Sequence, residues 1–191
     1  QGEGSKFLYV FDRSGSMSTD RRLERVKAEL VFAVRALDMS QKFSIIFFDD
    51  YSWVLGETGP TQEDDRSTLK LFDATAANKK MAVEWIVSQS IGGSTNAGPA
   101  CFLGLTARPE LLMLLSDGEF PPHLVTDITR RNNERSGPGA RIDCVGVAES
   151  IQTLQETTGF ITPPAAGLAS ETGRRRLPPD FDTTVGLALP C

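Results

Sequence analysis

The sequence predicts a doubly wound α/β domain, a mostly parallel sheet flanked by helices on both faces. Three observations carry that prediction. The runs 7–11 (FLYVF), 43–48 (FSIIFF) and 111–115 (LLMLL) are almost wholly apolar, as strands covered on both faces are. A strongly amphipathic helical pattern separates the first two runs, and a strand, helix, strand succession implies a right-handed parallel crossover. The first and third runs each empty into polar turns that carry a carboxylate, Asp12 and Asp117. In open α/β sheets, ligands bind beyond the carboxyl ends of the strands at a topological switch point.

Taken in order, the first strand runs into Asp12-Arg13-Ser14-Gly15-Ser16-Met17, with Met17 expected to pack where the first helix begins. Ser18, Thr19 and Asp20 offer capping side chains for that helix, predicted over about 21–38. Its apolar positions Leu23, Val26, Leu30, Ala33, Val34 and Leu37 recur at steps of three and four. The second strand covers 42–48. Residues 52–55 read as a short edge strand containing Trp53, and 56–65, with turn formers and four acids, as a surface loop. A second helix is predicted over 74–90, with Trp85 as core packing, ending before Gly92-Gly93.

Gly92-Gly93-Ser94-Thr95-Asn96 then forms a glycine turn whose polar side chains would cap a short helix over 97–105, although Gly98, Pro99 and Gly104 weaken its helical pattern. The third buried strand leads into Ser116-Asp117-Gly118-Glu119. Pro121-Pro122 opens a polar helix to about 135, and 141–147 is a further strand, with Cys144 as a small core residue. A short helix over 151–157 and a strand over 159–162 complete the expected domain, residues 1–162. From 163 to 191 the composition shifts to Pro, Gly, Ala and Arg, which predicts an extended or partly ordered tail with Arg174-Arg175-Arg176 solvated.

Composition narrows the function classes. A net charge of −5 over 191 residues provides no basic field for nucleic acid. No run approaches the roughly 18 apolar residues of a membrane span, and residues 1–6 lack signal-peptide architecture. The chain is therefore expected to be soluble. It begins with Gln1 and is expected to be a processed chain or a segment of a longer protein. The three cysteines, Cys101, Cys144 and Cys191, fit neither a zinc pattern nor a disulfide framework, and as unpaired thiols they favour a cytoplasmic setting.

The residue chemistry points to a metal. Asp12, Ser14 and Ser16 are hard oxygen donors at alternate positions of a turn, which suits Mg²⁺: it takes octahedral oxygen coordination with only one or two carboxylates. They read as half of a metal site, and the switch-point rule brings the turns after residues 91 and 115 to the same edge. The same residues also read as ordinary turn and cap residues. Asp49-Asp50, following the second strand, read first as solvated strand-end charges and second as rim residues near the metal, and Glu119 first as exposed and second as orienting water.

Three motifs in order, Asp12-Arg13-Ser14-Gly15-Ser16, Gly93-Ser94-Thr95 and Ser116-Asp117-Gly118, resemble the metal-ion-dependent adhesion site of the von Willebrand factor type A family, with its Rossmann-like fold. The resemblance spans roughly residues 6–160, and the chain after Gly159 departs from it by lacking the closing helical pattern. The resemblance implies that Ser14, Ser16 and Thr95 hold Mg²⁺ through hydroxyls, with Mn²⁺ or Ca²⁺ as substitutes. It implies that Asp12 and Asp117 bind directly or through water, and that water or a partner protein's Asp or Glu completes the coordination.

Enzyme readings fare worse. His123 is the only histidine, and the nucleophile-elbow, P-loop and dinucleotide motifs are absent. The catalytic alternative is a Mg²⁺-dependent phosphohydrolase or phosphotransferase with Asp12 as nucleophile, although Ser14 stands where a second acid is wanted. A degenerate scaffold that binds no metal is the third reading.

Overall fold

The computed structural model describes residues 5–61, 68–117, 120–134 and 137–146, with a short strand at 187–188. Its strands are β1 (Lys6–Asp12), β2 (Lys42–Phe48), β3 (Ser52–Val54), β4 (Pro60–Thr61), β5 (Phe72–Asp73), β6 (Leu111–Ser116), β7 (Arg141–Gly146) and β8 (Leu187–Ala188). They form one sheet in the order β4-β3-β2-β1-β6-β7-β8, with β5 also paired to β2. The central strands β2, β1, β6 and β7 are parallel, with Val10 opposite Ile46 on one side and Leu114 on the other. The short strands β3, β4, β5 and β8 pair antiparallel.

Helices α1 (Arg22–Ala36), α2 (Ala76–Ser88), α3 (Ala97–Thr106) and α4 (Pro122–Asn133) cover both faces. Alternation along each strand decides which helices it meets. Leu8 and Val10, with Ile46, Leu112 and Leu114, pack under Ala100, Cys101 and Leu105 of α3 and Leu124 and Ile128 of α4. Tyr9 and Phe11, with Phe43, Ile45 and Phe47, pack under Leu23, Val26, Leu30 and Val34 of α1 and Ile86 of α2. Phe11, Phe47 and Trp85 meet in that layer edge-to-face and tilted, with centroids 6.1 and 5.6 Å apart. Each such side chain removed from water contributes about 1.5–3 kcal/mol, so the sheet centre is strongly anchored from both faces.

The helices and buried strands stand close to their predicted bounds, and the differences have local causes. Ser18, Thr19 and Asp20 do not cap α1. A 3₁₀ stretch, Gly15–Arg21, precedes it, and Asp20 and Arg21 turn through the left-handed region at φ 49° and 58°. Met17 is fully buried in the α1/α2 layer, which holds this turn against the sheet, and Ser18 Oγ donates to the Gly15 carbonyl instead. Helix α2 starts two residues late because Asp73 belongs to β5, and Thr75 caps it by accepting from the Asn78 amide.

The loop predicted over 56–65 contains β4, whose Pro60 sits opposite Trp53, an edge position that proline tolerates. Helix α3 forms despite its glycines because Gly104 lies against β1. A Cβ there would come within 2.2 Å of Leu8 Cδ2, so only glycine lets the helix approach this closely. The elements expected at 151–157 and 159–162 lie outside the described residues, as do Gly118, Glu119 and Arg174-Arg175-Arg176. Of the expected tail, only the β8 backbone is described. No described helix is long and apolar enough to cross a membrane.

Candidate metal centre

Strand β1 lies at the centre of the sheet with its successors on opposite sides. The crossover through α1 leads to β2, and the later return through α3 leads to β6. The C-terminal end of β1 is therefore a switch point, and Asp12 occupies it, fully buried. Its carboxylate is held by two donors. The Ser14 amide reaches Oδ1 at 2.7 Å, closing a tight turn, and the Ser116 hydroxyl reaches Oδ2 at 2.6 Å from the end of β6. The same turn sets Ser14 Oγ 3.0 Å from Ser16 Oγ.

Asp117 follows Ser116 and is also buried. Its Oδ2 lies 3.8 Å from Arg22 Nη1, while its Oδ1, buried, has no hydrogen-bond partner among the described residues. Burial is the largest influence raising the pKa of the Asp12 carboxyl. Hydrogen bonds from Ser116 and Ser14 oppose it, and the charge of Asp117 adds to the rise. Two mutually repelling carboxylates thus share one end of the sheet.

The loop of Thr95 is joined to this turn by its backbone. The Gly15 amide donates to the Gly93 carbonyl at 2.8 Å, and the Gly92 amide to the Arg13 carbonyl at 2.7 Å. On the far side, the Ser94 amide donates to Asp50 Oδ2 at 3.0 Å and the Asn96 amide to the Asp49 carbonyl at 2.9 Å. Thr95, half-buried, sits between these bonds. Asn96 makes no side-chain cap to α3, and Ser14, which precedes the 3₁₀ stretch, makes none either.

Sequence reading missed three participants. Ser116 stands in the third motif with no role expected of its side chain, and only the parallel register of β1 with β6 brings its hydroxyl to Asp12. Arg22 faces Asp117 because the left-handed turn redirects the start of α1. Asp49, expected to be solvated, is 3% exposed and lies against Arg13 and Trp53, whereas Asp50 is exposed as expected. The Asp49 reading fails because the β2–β3 hairpin folds Trp53 back over the strand end, which no local pattern encodes.

Among solved structures, the chain is similar to a von Willebrand factor type A protein from Catenulispora acidiphila, at TM-score 0.62 and 19% identity, covering 83% of this chain and 37% of that one. It is similar to the conserved hypothetical protein BatB from Bacteroides thetaiotaomicron, at TM-score 0.57 and 18% identity, covering 75% and 66%. An aerotolerance-related membrane protein from Bacteroides fragilis, carrying multiple mutations to serines, gives TM-score 0.52 and 17% identity, covering 75% and 67%. The chain has a von Willebrand factor type A-like fold. No family model matches it, and no curated protein matches it in sequence.

Within this von Willebrand factor type A-like fold, the donor chemistry can be set against a hard divalent ion. Among the described residues, no group of three or more His, Cys, Asp or Glu that could hold a metal ion comes together. At the β1 switch point Asp12, Asp117, Ser14 and Ser16 present oxygen donors, a chemistry that suits Mg²⁺ better than a soft transition metal. The buried Asp117 Oδ1, without a hydrogen-bond partner among the described residues, fits the same reading, since buried carboxylate oxygens are ordinarily paired or bound to a cation.

Proposed function

We propose that this chain is a divalent-cation-dependent protein-binding module. Asp12, Ser14, Ser16, Thr95 and Asp117 would hold Mg²⁺, and the module would engage an Asp or Glu side chain of a partner protein. The observation that carries the reading is the buried Asp117 Oδ1, without a hydrogen-bond partner among the described residues, beside a second buried carboxylate. A bound Mg²⁺ supplies the missing positive charge and an exchangeable coordination position for an incoming carboxylate.

The chain's own residues support this role. Asp12 has both oxygens committed, one to the Ser14 amide and one to the Ser116 hydroxyl. It is thereby oriented as a fixed charge, and each oxygen keeps a lone pair for a cation or its water. Ser14 and Ser16 hold their hydroxyls side by side, so little rotamer freedom is lost on binding. Helices α1 and α3 begin at this edge without side-chain caps, and their first-turn amides favour an anionic visitor. His123 is exposed on α4.

The test is isothermal titration of metal-stripped protein with Mg²⁺ and with Mn²⁺, wild type beside Asp12→Ala and Asp117→Asn. The expected result is saturable binding of about one ion by wild type and none by either variant. A flat titration of wild type at millimolar metal would overturn the reading. Turnover of p-nitrophenyl phosphate, abolished by Asp12→Asn, would replace it with the enzymatic one.

A further inference from the structure

Asp49 follows β2 directly, and both ends of its carboxylate are engaged. Oδ1 accepts from the Tyr51 amide at 2.9 Å and from Trp53 Nε1 at 3.1 Å, while Oδ2 lies 3.1 Å from Arg13 Nε. The Arg13 contact is an ion pair without an aligned hydrogen bond, because Nε is buried and finds no acceptor in line. Arg13 is fixed on its other sides as well. Its Nη1 donates to Gln89 Oε1 at 2.9 Å, and its guanidinium lies 4.7 Å over the Trp53 ring. The ion pair therefore has one geometry available rather than many.

The same residue holds the second loop. The Asp49 carbonyl accepts from the Asn96 amide at 2.9 Å. Gly92 packs directly on the carboxylate, so closely that a Cβ there would meet Asp49 Oδ2 at 2.0 Å and Asp49 Cγ at 2.7 Å. Gly92 in turn donates to the carbonyl of Arg13. A closed circuit results: Arg13 to Asp49 through charge, Asp49 to Asn96 and Gly92 through backbone and contact, and Gly92 back to Arg13. Ser14 is adjacent to one side of the circuit, and Thr95 lies within the other.

We propose that Asp49 is the positioning residue of this edge: a buried carboxylate outside the candidate ligand set that fixes the Thr95 loop against the Ser14 turn. The lock stands on the contacts alone, and only its consequence for metal affinity rests on the metal reading above. A buried charge with its partner held in place resists sliding of either loop, because displacement leaves a charge unpaired in a dry site. Asn at this position keeps the shape and the acceptor for Trp53 but loses the pairing with Arg13.

The experiment compares amide hydrogen exchange and Mn²⁺ titration of wild type, Asp49→Asn and Trp53→Phe. The Gly15 and Gly92 amides, which bridge the two loops, are expected to exchange about tenfold faster in Asp49→Asn relative to the β1 core amide of Val10. The milder Trp53→Phe keeps a ring beneath Arg13 and removes one donor to Asp49, so it reports if Asp49→Asn does not fold. It is expected to loosen the same two amides by about threefold. Mn²⁺ affinity is expected to fall about tenfold in Asp49→Asn with binding still saturable, as happens when a supporting residue rather than a ligand is lost. Unchanged relative exchange of Gly15 and Gly92 in a folded variant overturns the lock. Faster exchange with unchanged Mn²⁺ affinity overturns the positioning role. Absence of Mn²⁺ binding in wild type defeats the metal reading alone, and the exchange comparison still decides the lock.

Discussion

Ser116 Oγ donates to Asp12 Oδ2 at 2.6 Å across 104 residues of chain, joining the ends of two adjacent parallel strands in a fully buried bond. The bond stabilises the ionised form of Asp12 against the burial that opposes it. Ser116→Ala removes the donor and leaves a buried carboxylate oxygen unpaired. A loss of about 1–3 kcal/mol in urea unfolding is expected, with weaker Mg²⁺ binding in titration. Unchanged stability would show that water replaces the hydroxyl without cost.

Gly92 and Gly93 are both required by close contact, but not equally. A Cβ on Gly92 meets Asp49 at its Oδ2, Cβ and Cγ, and that side chain is pinned by Arg13 and Trp53. A Cβ on Gly93 meets mainly Asp50 Oδ2, whose exposed side chain can swing away. Gly92→Ala is therefore expected to cost about 1–3 kcal/mol, as overpacking does, and Gly93→Ala less. Thermal unfolding of the two variants checks the order, and equal or reversed costs would contradict it.

Gly104 sets helix propensity against packing. Alanine gains about 1 kcal/mol in a helix interior, yet its Cβ would sit 2.2 Å from Leu8 Cδ2 in the core. Net destabilisation of Gly104→Ala is expected in chemical denaturation. In a Leu8→Ala background the collision disappears, and the same substitution is expected to become stabilising.

Cys101 is fully buried in α3, and burial pushes its thiol well above the ordinary range. Since the thiolate is the reactive form, Cys101 is expected to resist alkylation by iodoacetamide in the folded protein and to react on unfolding in urea. Mass spectrometry of the labelled peptide decides this, and rapid native labelling would show that α3 opens locally.

Metal binding to the folded state alone would raise stability by RT ln(1 + [L]/Kd), about 2.7 kcal/mol at a hundredfold excess over Kd. Thermal unfolding in Mg²⁺ and in EDTA is expected to separate the wild-type curves and to leave those of Asp117→Asn superimposed. A wild-type midpoint indifferent to Mg²⁺ would argue against the site.

The buried strands and amphipathic helices were legible because apolar runs and helical periodicity are local records of which face meets the core. Phe7 to Phe11 and Leu111 to Leu115 announce strands covered on both faces whatever their neighbours, and from two such strands and a crossover the switch point follows. The short strands at Pro60–Thr61 and Phe72–Asp73 were not legible, since two residues carry no period.

The candidate ligand set was visible as three polar turns, two at the ends of buried strands and one between two helices, with Asp12, Ser14 and Ser16 already grouped by spacing. What surrounds it was decided only in three dimensions. Asp49 and Asp50 are adjacent acids after one strand, indistinguishable in sequence, yet one is buried against Arg13 and the other faces water. Whether a carboxylate is solvated, paired or left with an orphaned oxygen depends on dielectric and on charges brought from distant sequence. By itself the sequence determined the order of elements and the chemistry at their ends. The tertiary structure alone decided which charges meet and which are stranded, because electrostatic and steric contact act through space between residues that the chain keeps far apart.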